Sequence, residues 1–122
     1  MEEKKKRLGI LVTAGPYTFQ HIDTAYFIAK NAVEKGIEVN IFLFIDGVIS
    51  LSSRIKSPGE RHIPTMLKEL AEKGVKIVGC GDCAQFRSVL RENLYPEIKL
   101  AGIATLAEMV ENCDRFITLR LP

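Results

Sequence analysis

The sequence predicts an α/β domain built on a mainly parallel sheet of about five strands with helices on both faces. Short runs rich in apolar and β-branched residues recur along the chain: Leu8 to Thr13, Val39 to Ile45, Val75 to Val78, Ile98 to Ala101 and Phe116 to Leu121. Between them lie segments whose apolar residues return at three- and four-residue spacing, the period of a helix with one buried face. Ile41-Phe42-Leu43-Phe44-Ile45 is apolar without interruption, as a strand covered on both faces should be. Strands that alternate with helices are joined by crossovers, and crossovers connect parallel neighbours.

Each element has its own signal. The first strand, Leu8 to Thr13, is closed by the turn residues Gly15-Pro16. A helix comes next, with Phe19, Ile22, Tyr26, Ala29 and Val33 on one face, Thr18 as its expected cap and Gly36 as its left-handed stop. The second strand ends at Asp46-Gly47. Ser50 to His62 carries Ser, Pro and Gly without periodicity and reads as a loop, whose length suggests a lid. Pro64 suits the first turn of a second helix, with Met66, Leu67, Leu70 and Ala71 facing inward and Gly74 closing it.

After the third strand comes Gly79-Cys80-Gly81-Asp82-Cys83, read as a loop leading into a short helix with Asp82 as N-cap and Phe86, Val89 and Leu90 as its apolar positions. Thr105 and Glu108 stand at capping-box spacing at the start of the last helix, where Leu106, Met109 and Val110 form the apolar stripe.

At 122 residues the chain is one domain, residues 1–122, with a charged N-terminal tail from Met1 to Arg7. Apolar residues at 47% and charged residues at 26% exclude disordered and low-complexity classes. Seventeen basic against fifteen acidic side chains leave a net charge of +2, too little to argue for a nucleic-acid or anionic-membrane partner. The longest apolar run falls far short of the roughly 20 residues a membrane helix needs. Neither an export signal nor a disulfide framework is legible, so the chain reads as cytoplasmic with its three cysteines as thiols.

In an open parallel sheet the chemistry gathers at the carboxyl ends of the strands, which here selects the segment holding Cys80 and Cys83. A cysteine is nucleophilic as the thiolate, and a helix start or a nearby cation favours that form. Cys80 precedes a helix start, Asp82 opposes the effect, and Arg87 offsets Asp82 if it folds back. His21, in the first turn of the first helix, lies at the same edge and is a candidate proton partner. The bland alternatives are a small buried Cys80 and a surface His21. The C-x-x-C spacing also fits a dithiol redox pair. Zinc is disfavoured because Cys113, His21 and His62 lie in unrelated segments. Gly79, Gly81 and Ala84 satisfy a loose dinucleotide-turn pattern, but the acidic residue expected at the end of the next strand is missing. No metal and no cofactor is expected.

Several pieces occur in order and at compatible spacing: the Leu8 to Thr13 strand with its Gly15 turn, Phe44-Ile45-Asp46-Gly47-Val48, and Cys80 followed by Arg87 and Val89. Leu100-Ala101-Gly102 through Leu106-Ala107-Glu108 to Cys113-Asp114-Arg115 completes the set. In these the chain resembles the DsrE family, which includes the sulfur-relay subunits DsrE and TusD. The resemblance spans nearly the whole chain and implies a three-layer α/β/α sandwich.

It also implies that Cys80 is the sulfur-accepting cysteine, taking sulfane sulfur from a donor protein as a persulfide and passing it to an acceptor protein. Homo-oligomers (trimers or hexamers) or hetero-oligomers with related subunits are implied as well. The chain departs from the relay subunits at Cys83 and Ser88, which leaves Cys83 either an accessory thiol or one half of a redox pair. A non-catalytic oligomeric module that binds a small ligand or partner remains the alternative from outside this chemistry.

Overall fold

The computed structural model describes residues 4–120. Five strands, β1 (Arg7–Val12), β2 (Glu38–Leu43), β3 (Lys76–Cys80), β4 (Lys99–Ala101) and β5 (Arg115–Leu119), form one sheet in the order β4-β3-β2-β1-β5. Every pairing is parallel. Four α-helices connect them: α1 (His21–Glu34), α2 (Ile63–Glu72), α3 (Gly81–Phe86) and α4 (Ile103–Asn112). The α/β/α architecture is the one the alternation of periods predicts. Residues 1–3 of the charged tail, and Leu121 of the expected last strand, lie outside the described residues.

Because strand side chains alternate between faces, the register sorts the core. Ile10, Val12, Val39, Ile41, Leu43 and Ile77 fall on one face, and none is more than 2% exposed. Helices α1 and α2 pack against each other and supply Ile22, Ala25, Ala29, Leu67 and Leu70 to the same core. The opposite face carries Leu11, Phe42, Val78 and, at the end of β3, Cys80. Helix α4 lies over it, with Met109 buried. As expected, α1 and α2 are followed by glycines with left-handed backbone, Gly36 at φ 80° and Gly74 at φ 98°.

Several boundaries differ from the sequence reading, each for a local reason. Parallel pairing of β2 stops at Leu43, so Phe44 and Ile45 leave the sheet although they extend the apolar run. The chain then winds into a 3₁₀ helix, Ile45–Leu51, in place of the start of the expected loop. The remaining segment up to His62 is tied down at its far end. Arg61 forms an ion pair with Asp23, the Tyr17 hydroxyl donates to the Arg61 carbonyl at 3.1 Å, and a His62 ring nitrogen meets the Ile55 carbonyl at 2.8 Å.

Helix α1 begins at His21 with Gln20, not Thr18, at the cap, because the chain is still turning at Pro16 to Thr18, where Thr18 N–H donates to the Pro16 carbonyl, three residues before the helix starts. Helix α4 begins two residues before Thr105, with Gly102 at its cap, so Thr105 and Glu108 form no capping box. Val110 is 46% exposed on the outer side of α4.

Gly79 shows how tightly the sheet meets the 3₁₀ helix. A Cβ there would collide with the Leu51 side chain and stand 3.2 Å from Leu100 Cδ2. Leu51 is fully buried and has little room to yield. Gly79→Ala is therefore expected to lower the unfolding free energy by about 1–3 kcal/mol, the usual cost of overpacking. Urea denaturation monitored by circular dichroism checks this, and a midpoint equal to that of the parent would contradict the packing described.

Candidate functional site

The β2 and β3 strands are neighbours, with Leu43 opposite Gly79, so the chain leaving β2 faces the chain leaving β3. The first supplies Ile45 and Asp46, the second Cys80, Cys83 and Arg87. Cys80 is the last residue of β3 and the N-cap of α3, with extended dihedrals (φ −69°, ψ 121°). The strand thus runs straight into the helix where the sequence suggests a loop. Cys80 takes the capping position that the sequence assigns to Asp82, and its Sγ accepts a hydrogen bond from Cys83 N–H at 3.5 Å. Asp82 lies in the first turn of α3, exposed to solvent.

Cys83 is held from three sides. Its Sγ accepts the Ile45 N–H at 3.3 Å, across 38 residues of sequence. Its carbonyl accepts from the Arg87 guanidinium at 3.1 Å, and Arg87 Nε donates to Asp46 Oδ1 at 2.8 Å. Arg87 therefore does fold back, as the C-cap of α3, and its ion pair ties the end of α3 to the loop after β2. Burial pushes the Cys83 thiol above the usual thiol range, and the adjoining Cys80 thiol adds to this. The Ile45 N–H and the Arg87 charge pull the other way.

The backbone around the site is strained. Tyr17 (φ 71°), Ile45 (φ 55°) and Ser88 (φ 56°) occupy the left-handed region, which non-glycine residues rarely adopt and β-branched ones still less. Such residues cost of order 1–3 kcal/mol each and persist where their surroundings hold them. At Ile45 the contorted backbone aims an N–H at the Cys83 sulfur. At Ser88 it ends α3 and turns Val89 into the core, leaving Phe86 85% and Leu90 48% exposed. Their spacing marks those two as apolar positions of a continuing helix; the helix stops at Phe86, and its last side chain faces solvent.

Of the residues singled out from sequence, Cys80, Cys83 and Arg87 come together. His21 is occupied elsewhere: its Nε2 meets the Arg120 carbonyl at 3.0 Å and its ring stacks on Phe19. Sulfur exchange calls for a thiol that a partner can reach, whereas Cys80 is 6% exposed and Cys83 is the more open of the two. The cause is position, since Cys80 ends an inner strand flanked by β2 and β4 and is covered by the first turn of α3. Ile45 and Asp46 are marked in the sequence by the end of a strand and by the Phe44 to Val48 piece of the resemblance, and neither signal shows that they meet Cys83 and Arg87. A cavity of about 470 Å³ opens beside Asp46, walled by Tyr17, Phe19, Ile49 and Ile55. Among the described residues, no three His, Cys, Asp or Glu side chains converge to hold a metal ion.

These contacts fix how Cys83 responds to pH. In an alkylation-rate titration followed by peptide mass spectrometry, the Cys83 midpoint is expected above the ordinary thiol value. Removing the cation with Arg87→Leu raises it further, and removing the neighbouring thiol with Cys80→Ser lowers it. Movement of either variant in the reverse direction would contradict this account of the site.

The DsrE/DsrF-like family matches residues 6–119. Among curated proteins, the chain is 32% identical to "Putative sulfurtransferase DsrE" of Allochromatium vinosum, covering 91% of this chain and 96% of that protein. It is 28% identical to sulfurtransferase TusD of Buchnera aphidicola, covering 88% and 95%. Among solved structures, the ychN protein from E. coli superposes with a TM-score of 0.86 at 20% identity, over 93% of this chain and 99% of that one, a likeness of fold. By the family match and by these relatives, the chain belongs to the DsrE/DsrF-like family.

Proposed function

We propose that the protein is a sulfurtransferase of the carrier type, in which Cys80 accepts sulfane sulfur as a persulfide and hands it to an acceptor protein. The observation that carries this reading is the placement of Cys80: the end of an inner parallel strand, the cap of the following helix, and a sulfur that accepts a backbone N–H. Thiol exchange needs a sulfur that attacks as an anion and is attacked in turn. Relatives named as sulfurtransferases over nearly their whole length support the same class of chemistry.

In this reading the outer sulfur of the loaded persulfide extends away from the strand end, toward the more open Cys83 side. Arg87, clamped by Asp46, holds the α3 backbone in place while the sulfur is exchanged. Asp82, exposed in the first turn of α3, sets a negative charge two residues from Cys80. Donor and acceptor are proteins, and the exposed Phe86 and Leu90 on and just after α3 offer them, or further copies of this chain in a trimer or hexamer, an apolar surface close to the thiols. Related subunits in a hetero-oligomer fit the same place. Among the described residues no helix is long and apolar enough to cross a membrane, and the protein works in the cytoplasm, where its thiols stay reduced.

The test is intact and peptide mass spectrometry of reduced protein after exposure to inorganic polysulfide. The parent and a Cys83→Ser variant are expected to gain sulfur at Cys80 that a reductant removes, and a folded Cys80→Ser variant gains none there. Equal loading of the Cys80→Ser protein would overturn the assignment.

A further inference from the structure

The carrier role needs one thiol, and a second stands beside it. Cys80 and Cys83 lie one helical turn apart, at the cap and the third residue of α3. Helix geometry sets Cα atoms three residues apart at about 5 Å. That lies within the separation of about 4.4–6.8 Å that a disulfide spans. The Cys83 N–H lies 3.5 Å from the Cys80 sulfur, so the first turn of α3 abuts the inner sulfur of any persulfide carried there. Cys83 Sγ has its own donor in the strained Ile45, and its backbone is pinned by Arg87 and Asp46. Such provision for a second sulfur exceeds what a packing cysteine requires.

We propose that Cys83 is a resolving thiol that reductively discharges the persulfide on Cys80, giving the protein a second activity: reduction of bound sulfane sulfur to sulfide. The inference rests on Cys80 as the sulfur-bearing residue. In the step, Cys83 yields its proton to the outer sulfur and its own sulfur attacks Cys80 Sγ. The Cys80–Cys83 bond forms, the bond from Cys80 Sγ to the outer sulfur breaks, and that sulfur leaves as hydrosulfide. The two electrons gained by the sulfane sulfur are those the thiol pair loses in becoming a disulfide. A dithiol reductant then reopens the disulfide for the next cycle. Burial keeps Cys83 protonated, which leaves the proton available to the departing sulfur. Discharge competes with delivery: an acceptor thiol attacks the outer sulfur, whereas Cys83 attacks the inner one.

The experiment follows a single turnover. Reduced parent, Cys83→Ser and Cys83→Ala proteins, each confirmed folded by circular dichroism, are loaded with inorganic polysulfide and desalted. Samples quenched with an alkylating agent over time are analysed for the Cys80 and Cys83 peptides and for free sulfide. In the parent, the added sulfur on Cys80 is expected to decay as sulfide appears in equal amount and the two cysteines lose two hydrogens. In both variants the persulfide persists longer by at least about tenfold, since an intramolecular attack has been removed. Equal persulfide lifetimes in parent and variants would overturn the resolving role while leaving the carrier intact. Absence of added sulfur at Cys80 in all three would overturn the carrier reading and this inference with it.

Discussion

The parallel pairing of β2 with β3 is the constraint on which the site depends. Leu43 stands opposite Gly79, so both strands reach the same edge at the same level, and the segment leaving one strand is delivered to the segment leaving the other. Without that register Ile45 would not reach Cys83, and Asp46 would not reach Arg87. The register is secured by burial, because slipping one residue would turn Ile41 and Leu43 off the fully buried face and bring Asn40 onto it. The geometry of two cysteines is thus held by aliphatic packing several residues away from them.

Around this anchor the site combines order with local strain. The Asp46–Arg87 pair is partly exposed, and by itself an ion pair of that kind contributes little to stability. Its effect is directional: it closes a loop of contacts from the end of β2 through α3 and back, and fixes the Cys83 carbonyl and thiol within that loop. Ile45, left-handed and β-branched, is held in the same circuit by the strand before it and the 3₁₀ helix after it. The cost of that backbone is met by the buried residues on both sides, Leu43 and Val48 among them.

Much of this is legible in the sequence. The alternation of periods identifies the sheet and its helices, the glycines after α1 and α2 mark their ends, and the edge rule selects Cys80 and Cys83 as the place to look. The illegible part is non-local. The contact of Asp46 with Arg87 spans 41 residues, and no spacing rule links them. The run Ile41 to Ile45 gives no sign that Phe44 and Ile45 have left the ladder, since their apolar side chains suit a 3₁₀ helix against the core as well as a strand. Phe86 has the right spacing to face inward, but the left-handed turn at Ser88 ends the short helix and redirects the chain. His21 lies at the right edge, but that edge is broad enough for its ring to meet Phe19 and Arg120 on the side of β5.

Gly79 and Leu51 occupy in effect one volume: the methyl of one fills the space where the other lacks a side chain. A larger residue at position 79 is therefore accommodated at least cost when position 51 becomes smaller. A bulkier residue in the strand just before Cys80 calls for a smaller one at the end of the 3₁₀ helix. Sequence drift in the segment leading toward the site's outer loop is in this way coupled to the strand that carries the thiol, and homologous chains should show positions 51 and 79 exchanging volume at a nearly constant sum.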